Sequence, residues 1–260
     1  MNVSRLALIA ASVLLVACGG GGGQSGRPDM PGGKRPSGGG GGGAPASGYQ
    51  GGSVSGGGTI AGVISYSGGE TDTKAEITKD DAVCAVHGKT IADHALTVNG
   101  GKVKDVIVWL DGLKEGKPLT KRTVTVDNKD CMFVPRVSIG WKGDKINAKN
   151  SDAVLHNTHL KLNGKTVHNV ALPTKDQQLQ KPLKKSGLYE ITCDAHAWMK
   201  AYMFVADNPY VEISNDGGSF TMTDVPAGSY ELNYWHEILG EGKVSVTVTS
   251  GGTAQANIAL

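Results

Sequence analysis

The sequence predicts an all-β protein: two β-sandwiches, one inserted into the other, behind a secretion signal and a Gly-rich tether. Three observations predict it. Beyond residue 58 the chain runs in short stretches that alternate apolar and polar residues, as half-buried strands do. Asp-Gly, Asn-Gly and Gly-Gly pairs punctuate those stretches, and such pairs mark turns. Long helical periodicity is scarce, so helix is expected only as one short piece at 174–179.

The amino-terminal elements are read from composition. Residues 1–17 place Arg5 in a short polar start, then an apolar run over 6–16 and a small residue before Cys18. That is the pattern of a secretory signal, too short for a spanning helix. Leu15-Val16-Ala17-Cys18 resembles a bacterial lipobox, which implies cleavage before Cys18 and lipidation of that cysteine. Acyl chains anchor a protein to a membrane without spanning it. Gly19, where that sorting pattern can carry Asp, implies the outer membrane and a periplasm-facing protein of the bacterial envelope. Residues 18–58 then form the tether. From 19 to 58 half of the 40 positions are Gly, too little apolar surface to offset the entropy of ordering. A Gly-rich coil of that length has a reach of roughly 35 Å.

Charge excludes one class of partner. Setting aside Arg5, Arg27, Lys34, Arg35 and Asp29 leaves 22 basic and 23 acidic residues in 59–260. No basic stripe with interleaved aromatics occurs, so no nucleic-acid partner is expected.

Strands are expected at 59–65, 105–110, 123–126, 136–139, 145–150, 156–162, 188–193, 201–206, 219–223, 228–234 and 243–249. Residues 59–118 and 209–260 are read as one discontinuous sandwich and 119–208 as a unit inserted into it. Neither flank alone supplies enough strands to close a sandwich, and insertion is tolerated where a domain's ends lie close together. Gly58-Thr-Ile-Ala-Gly-Val-Ile-Ser65, Asn215-Asp-Gly-Gly-Ser-Phe-Thr-Met222 and Val225-Pro-Ala-Gly-Ser-Tyr230 together resemble a carboxypeptidase regulatory-type sandwich. Those motifs encode turns, and the resemblance implies no peptidase activity.

The chemistry is concentrated in Cys193-Asp-Ala-His196-Ala-Trp-Met199. A thiolate, an imidazole and a thioether within seven residues are three of the four ligands of a blue-copper site, and the fourth is a second His from an earlier strand. Asn150-Ser-Asp-Ala-Val-Leu-His156-Asn157 offers one. His159 lies three residues on, and in a strand that spacing turns it to the opposite face. Cys193 would supply the soft thiolate, His156 and His196 the imidazoles, and Met199 a long, weak axial sulfur.

In order along the chain, Cys131-Met-Phe-Val-Pro135, Val137-Ser-Ile-Gly-Trp-Lys-Gly-Asp144, the His156 stretch and Gly187-Leu-Tyr-Glu-Ile-Thr-Cys193 resemble the cupredoxins. The short Cys-x2-His-x2-Met loop is nearest to amicyanin-like members. The resemblance implies a Greek-key sandwich with one type 1 copper, carrying single electrons between redox protein partners. Asn157, next to His156, is read as tying that strand to the Cys loop, and His196 as offering an exposed ring edge, while Trp198, between two ligands, either forms an apolar docking patch around the metal or shields the site from water.

With Cys18 assigned to lipid and Cys193 to metal, Cys84 and Cys131 remain as an even pair in an oxidising compartment, which predicts a disulfide. Cys131 as a metal ligand is the competing reading. Two other functions stay open: copper storage or handling, and an envelope binding or scaffold protein with a structural metal. An enzyme is not expected, because no Ser-His-Asp order, paired carboxylates or further His cluster stands out.

Overall fold

The computed structural model describes residues 48–69 and 73–260. The signal at 1–17, the lipidation site Cys18 and the tether as far as residue 47 lie outside the described residues. Within them the protein is all-β. Its one α-helix among the described residues is the single turn Asp81–Cys84, not a piece at 174–179. There Asp176 takes a left-handed φ of 63°, and its amide donates to the Asn150 carbonyl at 2.7 Å. That makes a turn leading into the strand Gln178–Pro182.

Two sheets face each other around the candidate site. One runs Met132–Val134, Thr123–Lys129, Lys145–Asn150, Gln178–Pro182. The other runs Val137–Trp141, Lys200–Ala206, Gly187–Thr192, His156–Leu162, Lys165–Leu172. Val126, Phe133 and Ile146 from the first sheet meet Leu160, Tyr189, Ile191 and Met203 from the second in one apolar core. Register places Leu160 opposite Ile191 and His159 opposite Thr192. The loop after Thr192 therefore lies across the end of the strand that begins at His156.

The flanking segments build a second sandwich with its own core, from Ile60, Ile64, Val108 and Leu110 on one side of the insert to Phe220, Leu232, Val246 and Ile258 on the other. The strand Gly58–Ser65 buries every second residue, as its alternation predicts. Residues at the end of the expected tether join this sandwich: Gln50–Gly51 pairs in parallel with Glu115–Gly116, and the Tyr49 hydroxyl donates to the Lys117 carbonyl at 2.7 Å.

A third apolar cluster lies between the sandwiches. Val137 and Ala206 from one pack with Ile107, Val211 and Trp235 from the other. Trp109 lies 4.6 Å from Phe204, and Tyr202 meets Trp235 edge-on at 4.9 Å. Beside them Arg136 clamps Glu237 through two bonds, of 2.6 and 2.9 Å.

Candidate metal centre

His156, Cys193 and His196 converge in the interior. His156 opens its strand, and Cys193 follows Gly187–Thr192 directly. The seven-residue loop then folds back on itself, with the Met199 amide donating to the His196 carbonyl at 3.0 Å and the Cys193 amide directed at the Met199 carbonyl at 3.4 Å. The Cys193 Sγ lies 3.9 Å from His156 Nδ1 and 3.7 Å from His196 Nδ1, and the two Nδ1 atoms are 3.0 Å apart. All three side chains are buried. Met199, also buried, sits in the same apolar core as Cys193.

Both imidazoles turn Nδ1 inward, and a carboxylate holds each outer nitrogen. His156 Nε2 is 2.9 Å from Asp152 Oδ2, an oxygen that also accepts the Cys131 amide at 2.9 Å. His196 Nε2 is 2.9 Å from Asp80 Oδ2. Such carboxylate partners fix which ring nitrogen carries the proton and how the ring is turned. Asn157 braces the thiolate: its amide points at Sγ from 3.5 Å, and its Oδ1 accepts the Asp194 amide at 2.7 Å.

The electrostatics follow from these contacts. Burial by itself would raise the Cys193 thiol. The two imidazoles and the amides of Asn157 and His196 outweigh it and bring the group down to about 6. Burial would likewise depress His156, but Asp152 and the neighbouring thiolate lift it to about 9. Asp152 resists the upward pull of burial through His156 and the amides of Cys131 and Asp130, and ends below the usual carboxylate range. The pocket is thus built to keep a thiolate ionised. A soft thiolate and two inward imidazole nitrogens are a donor set that fits copper.

Other candidates fall elsewhere. His159 faces outward, with Nδ1 2.8 Å from Asp194 and Nε2 2.7 Å from Thr166. Cys84 and Cys131 are joined by a disulfide with Cα atoms 5.4 Å apart. Cys131 therefore has no thiolate to add to its neighbours Asp152 and His156. One expectation needs correction, and of the two readings of Trp198 the shielding one fits. His196 is 0% exposed, so it presents no ring edge to solvent. Trp198 is half-buried, with its indole N–H donating to the Cys131 carbonyl at 3.0 Å and its ring 4.9 Å from His196. One cause underlies both: residues 77–91, a segment with its own two-stranded sheet, cover this side of the loop through Ile77, Cys84 and Ile91.

Sequence reasoning missed both carboxylates. Asp152 could have been found, being four residues before His156 in the same motif. Asp80 is 116 residues from its histidine and carries no local signal.

A family model described as polysaccharide lyase family 4, domain II, matches residues 184–256. It names a different β-domain family from the one the turn motifs suggest, and its span runs across strands of both sandwiches. No curated protein matches the chain. Among solved structures, a Cu-containing nitrite reductase from Thermus scotoductus is similar at 21% identity, over 35% of this chain and 24% of that one, with a TM-score of 0.29. A Met-to-Gln mutant of amicyanin in the Cu(I) state is similar at 20% identity, over 32% of this chain and 82% of its own, with a TM-score of 0.30. A reduced Pro-to-Phe mutant of amicyanin gives 20% identity over the same shares, also with a TM-score of 0.30.

Proposed function

We propose that the protein binds one type 1 copper and carries single electrons between protein partners, anchored in the bacterial envelope through Cys18. The observation that carries this is the buried convergence of Cys193 Sγ with two Nδ1 atoms. His156, Cys193 and His196 would hold the metal, with Met199 as the weak fourth ligand. Copper would supply a one-electron couple. The residues supply a fixed cage: His156 and Cys193 hang on adjacent strands, Asp152 and Asp80 lock the rings, and Asn157 holds the sulfur. Ligands held this firmly move little between oxidation states, which keeps the cost of reorganisation small.

Visible absorption of the copper-loaded protein tests the reading. An intense thiolate-to-copper band, bleached by ascorbate and restored by ferricyanide, is the expected result, and Cys193→Ala should abolish it. Loosely bound, colourless copper would overturn it.

The burial of His196 favours a second reading, in which the site keeps copper without turning it over. Rapid loss of copper to a chelator, with no reversible bleaching, would point there.

A further inference from the structure

The segment covering the metal loop pairs in its own two-stranded sheet, Lys74–Glu76 with Thr90–Ala92, and its contact with the loop is chemical as well as steric. Asp80 stands at the N-cap of Asp81–Cys84, with φ 53° and ψ 39°. An Asp in that position ordinarily accepts a bond from its own helix's amides. Here only the Asp80 backbone carbonyl serves the turn, accepting the Val83 and Cys84 amides at 2.9 and 2.8 Å. Its side chain makes no cap bond. The carboxylate reaches instead to His196 Nε2 at 2.9 Å. The Cys84–Cys131 disulfide fastens this turn to the stretch whose Cys131 amide supports Asp152, and so His156.

Resting on the copper reading above, we propose that Asp80 is a positioning residue of the metal site, supplied by the covering segment between Lys74–Glu76 and Thr90–Ala92. By accepting the Nε2 proton it leaves the His196 Nδ1 lone pair facing Cys193. Its negative charge also favours the more highly charged oxidised ion. Asp80 is 44% exposed while His196 is fully buried, so the carboxylate is also the link between that ring and solvent.

Two variants separate position from charge. Asp80→Gly removes the side chain without strain, because glycine tolerates φ 53°. Asp80→Asn keeps an acceptor, removes the charge and also tolerates a left-handed backbone. In the metal-free full-length protein, long-range proton–nitrogen NMR should show His196 as a single Nε2–H tautomer in the wild type and Asp80→Asn, and as a mixture in Asp80→Gly. In the copper-loaded protein at one fixed ambient potential, Asp80→Asn should raise the reduced-to-oxidised ratio about tenfold, and Asp80→Glu should return it most of the way. An unchanged tautomer in Asp80→Gly overturns the positioning role, and an unchanged ratio in Asp80→Asn overturns the charge role. A wild type that forms no thiolate–copper band overturns the copper reading instead, and the tautomer measurement still decides the role of Asp80.

Discussion

Asn157 and Met199 show how much the centre depends on single side chains. Asn157 Oδ1 satisfies the Asp194 amide at 2.7 Å and lies 3.4 Å from Sγ, so Asn157→Ala leaves a partly buried donor without its acceptor. A loss of about 1–3 kcal/mol is expected, measurable by denaturant unfolding of the metal-free protein. Met199 is different. Its bond to copper would be weak, so Met199→Leu should leave copper bound while shifting the visible spectrum and the potential. An emptied site would overturn its assignment as the weak axial ligand. Away from the centre, His236 Nδ1 lies 3.2 and 3.3 Å from the amides of Ile238 and Leu239. Burial and the nearby Arg136 push this histidine down to about 4. A histidine depressed on folding contributes stability above its unfolded pKa of about 6.5 that is lost as pH falls towards the folded value. Between pH 6.5 and 4 the wild type should therefore lose about 3 kcal/mol more stability than His236→Asn, which keeps an acceptor and cannot titrate. Parallel stability profiles for the two proteins would exclude this role.

Strands buried on alternate residues were the legible elements. Gly58–Ser65 is the clear case, whereas Lys145–Asn150 and His156–Leu162 stand where the sequence places them although each buries three successive residues. Lys165–Leu172 was not legible: most of its residues are half-buried or exposed, so one wet face and a polar sequence hide its period. The turn at 174–177 was misread because the Asn150 side chain, which bonds the carbonyls of Val154 and Leu172, ties this region to a distant strand. Three of the four proposed ligands stood in one readable loop, whereas the lid over them arises from tertiary contact alone. The strand Gly58–Ser65 carries the prediction at this scale. It pairs with Thr253–Gln255 at one end and Ile258–Ala259 at the other. Between them the Ala256 carbonyl oxygen comes within 2.2 Å of where a Cβ on Gly62 would stand. Because backbone must move to admit even a methyl group, Gly62→Ala should cost about 1–3 kcal/mol, seen as a lower Tm. An unchanged Tm would mean that the strand ends slide apart freely.

For the whole molecule, the interface between the sandwiches decides whether they act singly or together. It has an apolar centre and a bidentate ion pair whose side chains are only 15% and 8% exposed. Breaking such a pair from one side leaves a buried charge without compensation. Glu237→Ala should therefore cost about 3 kcal/mol, and Arg136→Met with Glu237→Leu together should cost less than that single change. Calorimetry should show one transition for both sandwiches, and two separate endotherms would show that they melt independently.

The disulfide bridges 47 residues and has a consequence in time. It stitches the covering turn to the inserted sandwich, and without it the Asp80 arm is held only by weaker contacts. A chain whose thiols stay reduced would lack this covalent tie between the Asp80 turn and the Cys131 stretch that supports Asp152. The tie itself forms only once the chain has met an oxidising compartment.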